Sequence, residues 1–298
     1  MSRIHEALKK AEQERAMSQS SREAAPSVLD SPSDPVFTSV APSASPALSS
    51  SSESLLARCR QTNWTPDPKT MLFFSSEEHA AGMEEFRTLR SRLYQAREKQ
   101  PLTKLLVTSA LPKEGKSFTA CNLAQVIVRQ HGRRALLIDG DLRNPRLHKA
   151  LGAELGPGLS EYLRSENDEF SVIQRGPMEN LFLIPAGVNT GNPAELLANG
   201  RLKFLLSRLE TVFDWIIIDS PPAVPVADAA LLANFCDGVL LVVRSNSTPM
   251  DAARQARKEF AERNVVGVVL NGITPDLSPY SQYYYSAYGA EPKAEAKN

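Results

Sequence analysis

From about residue 71 the chain alternates between short apolar runs and longer stretches in which large apolar side chains recur every three or four positions. The runs span 105 to 109, 135 to 139, 181 to 185, 215 to 219, 238 to 243 and 265 to 271. Nearly continuous apolar runs of this length predict strands covered on both faces, not strands with one wet side. The spacing of Met83, Phe86, Leu89 and Leu93 predicts a helix over 77 to 95, and a second helix follows over 118 to 130. Glu84, Arg87 and Arg90 lie on the adjoining faces of the first helix, where the plainest reading is a solvated charged stripe. Such alternation predicts an α/β fold, a mostly parallel central sheet with helices on both faces. Asn192, Pro193 and Glu195 fit a helix start, with a cap, a proline at the first position and an acid at the third.

The pattern divides the chain into four parts. Residues 1 to 16 predict a short amphipathic helix capped by Ser2, with Ile4, Leu8 and Ala11 on one face; it is either a frayed end or a docking helix for a partner groove. Residues 17 to 70 are dominated by Ser, Pro and Ala, too poor in large apolar groups to offset ordering entropy, and predict a disordered linker. The domain proper is expected over 71 to 275, and a flexible Tyr-rich tail over 276 to 298.

Composition changes this picture little. The 298 residues are 42% hydrophobic, ample for a core, and Lys plus Arg balance Asp plus Glu at 34 each, so charge gives no reason to expect nucleic acid as a partner. Cys59, Cys121 and Cys236 lack metal-ligand spacing, and three scattered thiols suit a reducing compartment. No stretch approaches the roughly 18 apolar residues of a membrane helix, so a cytoplasmic location is expected.

The chemistry sits at the ends of three of the runs. Ala110 to Ser117 reads ALPKEGKS, a P-loop with Ala in place of its leading Gly, placed between a strand and a helix as such a loop requires. Gly115 lets the backbone approach a phosphate, Lys116 adds a mobile cation and Ser117 a hydroxyl for Mg²⁺; Lys113, Glu114 and Phe118 complete the candidate nucleotide site. A Gly-Lys-Ser triplet can also merely start a helix. Asp139 and Asp141 close the second run and Asp219 closes an Ile triplet before two prolines. The first two are either turn and cap residues or carboxylates facing the crevice where α/β sheets bind ligands.

Beyond Asn271 the apolar pattern stops, and Tyr280, Tyr283, Tyr284, Tyr285 and Tyr288 follow, five of the seven tyrosines in the chain. Flanked by Pro279 and Gly289 and lacking an apolar stripe, they read as exposed phenols, available as substrates, or as an aromatic patch for a partner. About ten residues separate the last run from Tyr280, a reach of roughly 30 Å and enough to enter a neighbouring subunit.

Taken together, these motifs resemble the bacterial tyrosine kinases of capsule and exopolysaccharide synthesis, cytosolic P-loop autokinases. The resemblance runs from about Met83 to Tyr288 and rests on the variant P-loop, on Asp139, Asp141 and Arg143, on the block from Asn192 to Leu197, on Asp219 to Pro222 and on the tyrosine cluster. The residues from Met1 to Lys10 also resemble the start of autokinases linked to exosortase systems. It implies ATP and Mg²⁺ as cofactors, Lys116, Asp139 and Asp141 as catalytic residues, and Ser117, Asp139 and Asp219 as metal residues. Glu84, Arg87 and Arg90 look like the family's oligomerisation motif, and Asn271 resembles its adenine-contacting Asn, although it also suits a strand-ending turn. A homo-oligomer, an inner-membrane polysaccharide chain-length regulator as activator, recruitment to the inner face of the plasma membrane and a resetting protein-tyrosine phosphatase are implied in turn. The competing readings are a positioning ATPase of the ParA/MinD kind and an ATP-binding scaffold gating a membrane polymerase. Leu111 stands where positioning ATPases carry a Lys, and they lack a tyrosine tail.

Overall fold

The computed structural model describes residues 56 to 68, 70 to 74, 82 to 188 and 191 to 273. The expected N-terminal helix, most of the linker and the whole tyrosine tail lie outside them. Eight strands form one sheet in the order β1-β4-β5-β3-β6-β2-β7-β8. The strands are β1 (Arg60–Gln61), β2 (Lys104–Ser109), β3 (Ala135–Asp139), β4 (Gln174–Arg175), β5 (Leu181–Ile184), β6 (Trp215–Asp219), β7 (Gly238–Arg244) and β8 (Val265–Asn271). All neighbours run parallel except β4 and β5.

The helices are α1 (Met83–Lys99), α2 (Lys116–Val128), α3 (Leu147–Leu151), α4 (Leu159–Leu163), α5 (Glu169–Val172), α6 (Pro193–Ala198), α7 (Arg201–Leu209), α8 (Asp228–Ala233) and α9 (Met250–Glu259). The side-chain period of two along each strand sorts the core into two layers. Leu105 and Val107, Ala135 and Leu137, Trp215 and Ile217 pack with α1 and α2; Leu106, Leu136 and Ile138, Ile216 and Ile218 pack with α4, α7 and α8. A strand buried on both faces has no polar positions to alternate, which is why these segments read as unbroken apolar runs. Six of the eight strands match those runs to within a residue or so, while the two-residue β1 and β4 are too short to leave a pattern.

One boundary differs from the composition. The linker was expected to reach residue 70, but β1 pairs with β4, and Trp64, Met71 and Phe73 are buried beside α1 and α2. The reason lies on α2, where Asn122 and Gln125 are buried polar groups in need of partners. Asn122 accepts from the Leu72 N–H at 2.9 Å and donates to the Thr70 carbonyl at 2.9 Å, while Gln125 accepts from the Phe73 N–H at 3.2 Å. Three scattered apolar residues and two amides therefore hold a segment whose average composition resembles a linker. Asn192 occupies the cap position of α6 with Pro193 behind it, as expected, yet its side chain makes no capping bond.

Candidate active site

Strand order brings the chemistry together. β6 lies between β3 and β2, so the carboxyl ends that carry Asp139, Asp219 and the loop 110 to 115 are neighbours. Asp139 and Asp219 are direct cross-strand partners, and Asp219 is level with Val107 of β2. This is the crevice at the strand ends where open α/β sheets bind ligands.

The loop turns into α2 through Gly115 at φ +98°, a left-handed conformation open to glycine, and through Lys113 at φ +67°. No side chain caps α2 and no acid lies in its first turn, so its leading N–H groups and positive dipole end are free for an anion. The Lys116 ammonium lies 2.8 Å from Asp141 Oδ2 and 3.6 Å from Asp219 Oδ1. Burial disfavours that charge, but Asp219 and Asp141 more than offset it and hold the Lys116 pKa above its usual value. The Ser117 hydroxyl donates to Asp219 Oδ2, which leaves Asp219 Oδ1 fully buried without a hydrogen bond.

Asp139 is 0% exposed. Its Oδ2 accepts from the Arg146 and Leu147 N–H groups at 3.0 Å each, ordering the turn into α3, and its Oδ1 accepts only a long 3.3 Å bond from the Asp141 N–H. Asp139 is not itself the cap of α3, a position held by Arg146, and its carboxylate lies inside the acidic crevice. Burial first and the facing Asp219 second push its pKa up to about 8. The two strand ends meet closely: Gly140 N–H donates to the Asp219 carbonyl at 2.8 Å, and a Cβ at Gly140 would stand 2.9 Å from that oxygen.

Of the other expected nucleotide residues, Asn271 is brought to the loop, donating from Nδ2 to the Glu114 carbonyl at 2.8 Å. Phe118 turns away from it, its ring stacking edge-on against Phe86 at 5.7 Å, so only its backbone could meet a nucleotide. The Glu114 carboxylate also faces inward, accepting from the Leu111 N–H at 2.9 Å and from the Thr248 hydroxyl. In α1, Glu84 pairs with Arg87 at 3.1 Å on the surface, but Arg90 spends a guanidinium N–H on the Val126 carbonyl at 2.7 Å, stapling α1 to the end of α2. Two of the three residues thus face outward. The five tail tyrosines lie outside the described residues.

Sequence reasoning missed Asp228, Arg244 and Thr248. Asp228 is buried and holds Arg143 through two bonds of 2.7 and 3.0 Å, Nε to Oδ2 and a terminal nitrogen to Oδ1. An acid at the start of the apolar α8 marks a helix N-terminus, but no spacing rule pairs it with an Arg 85 positions earlier.

The donors fit a hard cation. Asp219 offers a buried oxygen that accepts no hydrogen bond, beside a hydroxyl, and oxygen ligands suit Mg²⁺. Among the described residues no group of three or more His, Cys, Asp or Glu side chains forms a protein-only metal cage. A cation here would share its shell with water and substrate oxygens, as Mg²⁺ commonly does.

The profile of a family described as an AAA domain matches residues 114 to 261. The chain is 35% identical to tyrosine-protein kinase YwqD of Bacillus subtilis over 72% of its own length and 90% of that protein. It is 34% identical to a putative tyrosine-protein kinase EpsB of Ralstonia nicotianae, of which it spans only 30%. Among solved structures, the kinase domain of the Escherichia coli tyrosine kinase ETK superposes with a TM-score of 0.64 at 32% identity, covering 67% of this chain and 80% of that one.

Proposed function

The chain belongs to the bacterial tyrosine-protein kinase family, and from that membership we propose that it transfers the γ-phosphoryl group of ATP to the tyrosines of its own C-terminal segment, Tyr280, Tyr283, Tyr284, Tyr285 and Tyr288. The observation that carries the reading is the convergence of Lys116 with Asp141 and Asp219 at the mouth of an uncapped helix N-terminus. The ammonium is held by two carboxylates. A triphosphate at the loop gives it a stronger partner, so Lys116 is a cation kept in place for phosphate and ready to stabilise charge on the transferring group.

Mg²⁺, held by Ser117 and Asp219, would supply charge neutralisation between the phosphates. The protein's remaining task is proton management. A free phenol has a pKa near 10, so a nearby carboxylate of comparable proton affinity helps the oxygen attack. With its pKa pushed up to about 8, Asp139 in its ionised fraction is a stronger base than an ordinary carboxylate, and its Oδ1 accepts just the long bond from the Asp141 N–H. In this proposal Asp139 accepts the tyrosine proton, and Asp141 holds Lys116 in line and supports the metal charge. Asn271, at the loop, serves the adenine side.

The tail enters a neighbouring subunit, so the kinase works as a homo-oligomer to which Glu84 and Arg87 contribute outward-facing charge. Its activator is a polysaccharide chain-length regulator in the inner membrane that recruits it from the cytoplasm, and a protein-tyrosine phosphatase resets the tail. In support, EpsB carries the matching region within a much longer chain. Among the described residues of the present protein no helix is long and apolar enough to cross a membrane.

Incubation with γ-labelled ATP and phosphotyrosine detection tests the reading. Wild type should label its tyrosines and Lys116→Met should not; ATP hydrolysis without phosphotyrosine in the wild type would favour a positioning ATPase, and nucleotide binding with neither would favour a scaffold.

A further inference from the structure

A carboxylate inside a phosphate-binding loop is electrostatically out of place. Glu114 nevertheless stands immediately before Gly115 and is only 3% exposed, so its negative charge neither reaches solvent nor pairs with a cation of the loop. Its hydrogen bonds say what it does. One oxygen accepts from the Leu111 N–H at 2.9 Å, closing the loop on itself, and the other accepts from the Thr248 hydroxyl.

Thr248 belongs to the segment between β7 and α9, and it is itself held in place. Its Oγ1 accepts from the Arg244 N–H at 2.8 Å, its own N–H donates to the Arg244 carbonyl at 3.0 Å, and the Arg244 guanidinium reaches the Lys113 carbonyl at 3.5 Å. Sheet order explains why these groups meet: β7 pairs directly with β2, so the residues following β7 stand beside the loop following β2. Arg244 is in turn level with Asn271 of β8, whose amide bonds the Glu114 carbonyl. Residues 113 to 115 are thus gripped at the Lys113 carbonyl, the Glu114 carboxylate and the Glu114 carbonyl by a second set of strand ends. The gripped turn is the one that needs holding, because Lys113 and Gly115 both have positive φ.

We propose that Thr248 is a positioning residue for the phosphate loop: through the Glu114 carboxylate it holds the turn at 113 to 115 in the conformation that receives a nucleotide triphosphate. The assignment rests on the kinase reading for its substrate, but its geometry does not depend on which acceptor is phosphorylated. Thr248 touches neither ATP nor tyrosine, so its effect belongs on nucleotide affinity and not on the chemical step. An unmade bond also leaves one buried oxygen of Glu114 without its donor, which makes the penalty larger than that of an exposed hydrogen bond.

The test uses the full chain with Thr248→Val, Thr248→Ser, Glu114→Ala and the Thr248→Val/Glu114→Ala double variant. Titration calorimetry with ATP and Mg²⁺ reads affinity, and tail labelling reads KM for ATP and kcat. Thr248→Val should weaken ATP binding and raise its KM by about tenfold, with kcat within twofold of wild type, while Thr248→Ser, which keeps the hydroxyl, stays close to wild type. In the Glu114→Ala background Thr248→Val should weaken binding no further, since the group it acts through is gone. The proposal is overturned if Thr248→Val binds ATP like wild type, if Thr248→Ser is as weak as Thr248→Val, or if the two changes add fully in the double variant. Should wild type bind ATP yet label no tyrosine, the kinase reading fails while calorimetry still decides the role of Thr248.

Discussion

Lys116, Asp139, Asp141 and Asp219 are charged residues removed from water at the strand ends. Lys116 is a buried cation held for phosphate and makes no apolar packing of the core, so Lys116→Met should lower phosphoryl transfer by about 100-fold or more while circular dichroism stays unchanged. Asp139 makes a prediction about stability. Its folded-state pKa of about 8 lies above the ordinary 3.8, so between those values the folded protein holds a proton that the unfolded chain has released. The contribution is fully present below about pH 4 and is lost as pH rises through about 8. Without Mg²⁺ and nucleotide, the stability of wild type relative to Asp139→Asn should therefore fall between pH 5 and about pH 8.5, as urea midpoints would report; parallel pH profiles would contradict it. Lys116, Ser117, Asp139 and Asp219 could be picked out from the sequence because each stands at the end of an apolar run or in a spaced motif. Asp228 and Thr248 could not, because their partners Arg143 and Glu114 lie 85 and 134 positions away and only the strand order unites them. Asp228→Asn should remove the carboxylate charge that pairs with Arg143, leaving one oxygen to accept, and slow labelling severalfold with little change in KM for ATP, a split that steady-state kinetics can read.

Among elements, the period-two split of β2, β3 and β6 between two apolar layers accounts for why the sheet could be inferred from hydrophobic runs alone. The same method misplaced the start of the domain, since Thr70, Leu72 and Phe73 are secured by Asn122 and Gln125 of α2, and Trp64 and Met71 by burial, not by a repeating pattern. Trp64→Ala should accordingly cost about 3 kcal/mol of stability in chemical denaturation, whereas a loose linker would tolerate it without effect. In α1 the two arginines of one motif separate. Arg90→Ala removes the bond to the Val126 carbonyl and should lower stability by about 1 kcal/mol, while Arg87→Ala, with its exposed partner Glu84, should leave the monomer's stability within about 0.5 kcal/mol of wild type. If subunits associate through this face, Arg87→Ala alone should still reduce the sedimentation coefficient.

For the molecule as a whole, the catalytic crevice and its acceptor are different parts of one chain: the site is built at the ends of β2, β3 and β6, and the tyrosines follow β8. Each phosphate added to the tail brings roughly −1.5 to −2 charges, so phosphorylation of several neighbouring tyrosines should disfavour a tail-to-neighbour contact and release subunits. Whether the tail is the acceptor is decided most directly by locating the phosphate. Purified wild type incubated with ATP and Mg²⁺, then digested and sequenced by tandem mass spectrometry, should carry phosphotyrosine within residues 280 to 288. Phosphate confined to Tyr94 or Tyr162, or a variant with all five tail tyrosines replaced by Phe that still labels at the wild-type level, would contradict the account.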